Sequence, residues 1–248
     1  MKTSVRILGL LLVSFGMSSA AQQARHAPHW EYTGGDGPAH WSTLAPDFAA
    51  CAGRNQSPID LDNFIEAELP PIAFDYKTGG HDFINNGHTV EVDYDEGSSI
   101  SIDDDVFALK QFHFHAPSEN RIDGKSFPIE AHFVHADSQG RLAVVAVMFV
   151  QGENNPALEA LWDNLPARAE DRHDLSPEVA AASFLPAERD YYRYDGSLTT
   201  PPCSEGVRWL VLKQPVSASA TQIRQLTQVL GHPNNRPVQP LWARVVLE

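Results

Sequence analysis

The chain has 248 residues, 42% of them hydrophobic and 20% charged, and a formal net charge of −14. That length and apolar content support a sizeable buried core and exclude a disordered chain. The acidic balance excludes a surface built to hold nucleic-acid phosphates, which requires basic residues.

Lys2 and Arg6 give a short basic start, residues 7–17 are mostly apolar, and Ser18, Ser19, Ala20 and Ala21 are small. This is the pattern of a secretory signal peptide, assigned to 1–20. Its apolar run is shorter than the ~20 residues that cross a bilayer. Cleavage removes two positive charges, so the mature chain, 21–248, is more acidic still. The expectation is a periplasmic or secreted protein with no membrane span after cleavage. Its two cysteines, Cys51 and Cys203, read as a disulfide in an oxidising compartment; two free thiols, or a thiol pair binding metal, are the alternatives.

Residues 25–50 are rich in Gly, Pro, His and Trp and predict an irregular lead-in packed by its aromatics. After Pro70 and Pro71, alternation predicts a short strand over 72–76. Asn86-Gly87 is a turn signal. Beyond it Val90, Val92 and Tyr94 alternate with Glu91, Asp93 and Asp95, as in a half-buried strand. Further strands are predicted over 107–115, 129–135, 142–150 and 209–212. The run 142–150 is apolar throughout and should be covered on both faces. Asn155 and Pro156 cap and open a helix expected to reach Leu165. A second helix is expected over 218–230, with Gly231 as its stop. The elements add up to a mainly β, α+β chain in one domain with short peripheral helices.

Phe112-His113-Phe114-His115 lies in a predicted strand. Side chains there alternate faces, so His113 and His115 point one way with Gln111, while Lys110, Phe112 and Phe114 point the other. Two imidazoles on one pleat can share a cation. A third ligand could come from His132 or His135, which face opposite sides of a strand. Glu130 shares the face of His132 and suits it as an outer partner, as Gln111 suits His113; a ligating imidazole usually gives its second N–H to such a group. A helix over this segment would instead put His132 and His135 on one face. Three neutral histidines leave Zn²⁺ one open position, the catalytic arrangement. The same spacing also fits three core or surface histidines with ordinary partners.

Several blocks, in order from Trp30 to Leu241, resemble the alpha carbonic anhydrases of the exported bacterial type. They are Asn55-Gln56-Ser57-Pro58-Ile59-Asp60-Leu61, Asn85-Asn86-Gly87-His88, Gln111 to Glu119, Glu130 to His135, Tyr194 to Cys203, and Asn235-Arg236-Pro237-Val238-Gln239. Ala116-Pro117 departs from the tryptophan common in animal members and is similar to bacterial ones. The resemblance implies a large twisted, mostly antiparallel central sheet. It implies reversible hydration of carbon dioxide to bicarbonate and a proton, by attack of a zinc-bound hydroxide. His113, His115 and His132 are then the ligands, and Cys51 is bonded to Cys203. The Ser57-Pro58 and Pro201-Pro202 bonds correspond to cis peptides. A non-catalytic binding module on the same fold is the alternative reading.

By the same resemblance, Thr199 orients the nucleophile, its one hydroxyl proton directed to Glu119. Thr200 contacts the bicarbonate product. Val134, Val144, Leu198, Val207 and Trp209 form an apolar wall for carbon dioxide. His88 relays the proton to buffer, since an imidazole can accept and release near neutral pH. A monomer or homodimer is expected, with a small molecule as its partner.

Overall fold

The computed structural model describes residues 28–248. The signal peptide expected over 1–20 lies outside the described residues. The strands in chain order are β1 (Asp60–Leu61), β2 (Ala73–Asp75), β3 (Thr78–Asn85), β4 (Val90–Tyr94), β5 (Ser99–Ile102), β6 (Asp105–His115) and β7 (Arg121–Ile122). They continue with β8 (Ile129–Ala136), β9 (Leu142–Gln151), β10 (Arg172–Ala180), β11 (Tyr191–Ser197), β12 (Glu205–Leu212) and β13 (Val216–Ala218). The α-helices are short: α1 (Trp41–Leu44), α2 (Pro156–Trp162) and α3 (Ala220–Leu230).

Eleven strands form one sheet whose main path runs β10-β3-β4-β6-β8-β9-β12-β11. Its pairings are antiparallel except where β12 and β13 join β9. This is the mainly β, mostly antiparallel architecture expected. The small parallel pair of β1 and β7 stands apart. No helix among the described residues is long and apolar enough to cross a membrane.

The period-two rule separates two cores across the sheet. On β9, Ala143, Val145, Val147 and Phe149 face one cluster with Phe112, Phe114 and Phe133. Val144, Ala146 and Met148 face the other, with Tyr194, Val207 and Trp209. The continuous apolar run of β9 therefore has a use for each side chain. α2 and α3 pack over the first cluster through Leu158, Leu161, Trp162 and Leu226. The second cluster borders the histidines.

The structure differs from the sequence reading in several places. β6 carries a register shift against β8 between Leu109 and Gln111. Leu109 joins the cluster of Phe112, and Lys110 is exposed rather than sharing their face, because the irregularity breaks simple alternation there. The helix opened by Asn155 ends at Trp162, three residues before Leu165. Ala218 belongs to β13, and Ser219 caps α3 through a reciprocal bond pattern with Gln222. Strands β3 and β10, at one edge, escape the pattern: β3 contains Gly79-Gly80, and β10 is largely exposed and holds a cis Ser176-Pro177. Cis bonds also occur at Ser57-Pro58, Ala116-Pro117 and Pro201-Pro202.

A candidate metal centre

β6 and β8 pair so that His113 faces His132 directly and His115 faces Glu130. The pleat then turns all three imidazoles to one side. One ring nitrogen from each of His113, His115 and His132 lies within 4.8 Å of the others. His135 stays out of this group. It is fully buried on the opposite face, where its Nε2 meets the Tyr76 hydroxyl at 2.7 Å and its Nδ1 the Ala143 carbonyl at 3.3 Å.

Each imidazole of the triad is anchored by its other nitrogen. Nδ1 of His113 donates to Gln111 Oε1 (2.8 Å), Nδ1 of His115 to the Asn234 carbonyl (2.7 Å), and Nε2 of His132 to Glu130 Oε1 (2.8 Å). These bonds fix the tautomers and leave Nε2 of His113, Nε2 of His115 and Nδ1 of His132 as lone-pair donors. Burial holds all three below the ordinary imidazole value, His113 and His132 well below it, and neighbouring rings add to the effect on those two. Nε2 of His115 is buried with no hydrogen-bond partner among the described residues. Three converging neutral nitrogens, one of them orphaned, fit a cation such as Zn²⁺ that takes imidazole donors and keeps a position open.

Glu130 is a fully buried junction. Besides His132 it accepts from the amides of Glu119 (2.8 Å) and Asn120 (2.8 Å) and from the Asn120 side chain (2.7 Å). Burial raises its pKa and those bonds oppose the rise. Glu119 is buried beside it. Its Oε1 accepts from the Arg236 amide at 2.8 Å, and its Oε2 lies 3.5 Å from His115 Nε2 with no hydrogen-bond partner of normal length. Burial pushes Glu119 up to about 8, against the pull of the Thr199 hydroxyl and the Arg236 amide. Thr199 is itself buried at 6% exposure, so its hydroxyl has little solvent to turn to.

The loop carrying Thr199 and Thr200 is tied down at its far end. Cys51 and Cys203 form a disulfide across 152 residues of sequence. The Cys203 amide donates to the Thr200 carbonyl (2.8 Å), and the Leu198 amide to the Ser204 carbonyl (3.0 Å). Arg236 reaches from the other side, with its guanidinium on the carbonyls of Cys51 (3.0 Å) and Ser57 (2.8 Å) and on Gln56 Oε1 (2.8 Å). The same residue thus holds Glu119 by its backbone and the disulfide segment by its side chain.

The residues expected to line an apolar wall fall along one row of the sheet. Val134 pairs with Val144, and Val144 with Trp209, across β8, β9 and β12. Trp209 packs edge-on to His132 with centroids 4.9 Å apart, and Val207 and Leu198 join the same cluster. Beside the histidines lies a cavity of about 120 Å³, lined among others by His88, Glu91, Gln111, His113, His115 and Thr200. His88 is half-buried and stacked on Trp30, centroids 3.8 Å apart, with its Nδ1 buried and unpartnered. Burial lowers its pKa, opposed by Glu31.

Sequence reasoning missed four residues here. Asn234 meets His115 through its backbone carbonyl, which leaves no side-chain signature for that contact. Asn120 and Arg236 lie within or beside quoted blocks, but nothing local names their partners. Tyr32 lines the cavity with Trp30, and only the aromatic lead-in hinted at either.

The family model described as eukaryotic-type carbonic anhydrase matches residues 36–248. A carbonic anhydrase of Pectobacterium carotovorum is 47% identical over 248 residues, covering the whole of both chains. Among solved structures, a hyperthermostable carbonic anhydrase from a hydrothermal vent chimney has a TM-score of 0.87 at 51% identity, covering 89% of this chain and 99% of that one. The alpha carbonic anhydrase of Thermovibrio ammonificans, solved with the inhibitor sulfanilamide, has a TM-score of 0.89 at 46% identity. It covers 90% of this chain and 100% of that one.

Proposed function

We propose, for a chain that belongs to the eukaryotic-type (alpha) carbonic anhydrase family and is thereby a carbonic anhydrase, that His113, His115 and His132 hold Zn²⁺ for the hydration of carbon dioxide. The observation that carries the assignment is the tethering of each ring by its outer nitrogen, which aims three lone pairs at one point. Zinc there supplies a Lewis acid that makes water a nucleophile near neutral pH.

The chain's own residues do the rest. Thr199 would donate its single hydroxyl hydrogen bond to Oε2 of Glu119, whose other oxygen accepts from the Arg236 amide. The threonine oxygen is then left only as an acceptor, so it accepts a hydrogen bond from the nucleophile's O–H and turns a lone pair toward substrate. Val134, Val144, Leu198, Val207 and Trp209 offer carbon dioxide, a neutral apolar molecule, a surface without polar competitors. Bicarbonate, the product of hydration, would be contacted by Thr200, which lines the cavity. His88 accepts the proton that each turnover leaves and returns it to buffer. Gln111 and Glu130 keep the ligating rings in the right tautomer. The protein is exported to the periplasm or beyond, a reading that the disulfide supports.

Metal analysis with stopped-flow hydration on the purified mature chain tests this. One zinc per chain is expected, with His113→Ala losing both metal and hydration. A zinc-loaded chain without hydration would leave a binding module on this fold.

A further inference from the structure

We propose that His232 is a second proton-accepting station, taking from His88 the proton that hydration releases and passing it to solvent. The inference rests on the reading of His88 as first acceptor. The two histidines sit on separate segments, one after the Asn86-Gly87 turn and one just beyond α3. Tyr32 stands between them, its ring centroid 6.4 Å from that of His88 and 6.0 Å from that of His232. Asn234, two residues past His232, clamps the segments together. Its side-chain amide donates to the His88 carbonyl (3.1 Å), and its own carbonyl accepts from His115 (2.7 Å). The residue that anchors a proposed ligand therefore also sets where His232 stands relative to the cavity.

The hydrogen bonds give the path a direction. Nδ1 of His232 faces the Pro233 carbonyl at 3.1 Å. A carbonyl can only accept, so neutral His232 carries its proton on Nδ1 and offers Nε2 as a bare lone pair. His232 is half-buried, outside the lining of the cavity, on the far side of Tyr32 from His88. The groups bearing on His88 are Glu31, His29 and His232, with Glu91 and Tyr32 in the same cavity wall. His29 is the rival acceptor, but its Nε2 lies 3.3 Å from the Glu31 carboxylate and is engaged there. Among the described residues no carboxylate forms an ion pair with His232. In the transfer, protonated His88 gives one N–H proton to a bridging water, and that water gives one of its own to Nε2 of His232. His88 is then neutral, and His232 becomes neutral when buffer takes the proton. Only N–H and O–H bonds change.

The test uses His232→Ala, His88→Ala and the double variant of the zinc-loaded protein. In weak buffer, His232→Ala should lower kcat severalfold while kcat/KM is preserved, and added imidazole should restore kcat. Stations in series predict a double variant no slower than His88→Ala. Histidine NMR of the metal-free chain supplies a second readout: removing the His232 charge should raise the titration midpoint of His88. Unchanged kcat in weak buffer, additive losses in the double variant, or an unmoved His88 midpoint would each overturn the relay. If His88→Ala itself leaves weak-buffer turnover unchanged, the first-acceptor reading falls and the relay with it. A loss in His88→Ala alone removes only His232.

Discussion

His113 on β6 and His132 on β8 are direct cross-strand partners, with ring centroids 5.3 Å apart. The next residue on the same face of each strand completes the arrangement: His115 stands opposite Glu130, the carboxylate that anchors His132. Four side chains at two adjacent rungs thus supply three lone pairs and one of their supports. The ladder between two central strands holds them, so the geometry does not depend on a flexible loop.

Glu130→Gln tests that support. The carboxylate accepts from three N–H groups besides His132. An amide has one acceptor oxygen, and its NH₂ must face a donor. Zinc affinity is expected to fall about 10–100-fold, the usual cost of losing an outer partner of a ligating histidine. Chelator competition measures it, and an unchanged dissociation constant would show that Glu130 does not tune the site.

Thr199→Ala separates orientation from metal binding. Thr199 is not a member of the imidazole cluster. Zinc content should stay at one per chain while kcat/KM for hydration falls ~10²-fold, the scale of a misaligned reacting group. Parallel loss of zinc would instead make Thr199 a structural support of the centre.

The disulfide links the amino-terminal lead-in to the loop of Thr199 and Thr200. In the chain-entropy account a loop of this length contributes up to ~5 kcal/mol. Cys203→Ser, or reduction of the native chain, should lower Tm by many degrees and hydration together. Calorimetry with and without reductant checks the first, stopped flow the second. A lowered Tm with full activity in the folded variant would show that Arg236 and Gln56 hold the loop alone.

Much of this was legible because two-residue alternation carries through β4, because the unbroken apolar run of β9 marks a strand covered on both faces, and because Glu130 shares a strand face with His132. Parity placed His135 on the far side, where it lies. The register shift at Leu109 was not legible: nothing in Leu-Lys-Gln marks it, and it depends on how β6 meets both β5 and β8. The partners of His115 and Glu119 were invisible for another reason. Both are backbone groups, Asn234 and Arg236, more than 110 residues away in sequence. β10 was hidden because its exposed residues and Pro177 follow no two-residue pattern.

His135 should set part of the acid limit of the fold. Its Nδ1 donates to the Ala143 carbonyl, so its Nε2 must accept from the Tyr76 hydroxyl, and the buried ring is neutral. Burial pushes its pKa from the ordinary 6.5 down to about 3. The unfolded chain therefore binds a proton that the folded chain refuses between those two values. Stability contributed by neutral His135 is intact above pH ~6.5 and declines as pH falls toward ~3, by up to ~1.4 kcal/mol per unit and ~5 kcal/mol across the window. His135→Gln removes this titration while keeping a side chain able to accept from Tyr76. The variant should start less stable at pH 7 and lose stability less steeply below pH 6, by close to one proton. Urea unfolding at a series of pH values, on zinc-loaded wild type and variant alike, measures the difference in slopes. The triad histidines titrate in both and cancel. Equal slopes would show that His135 takes up its proton without unfolding the chain.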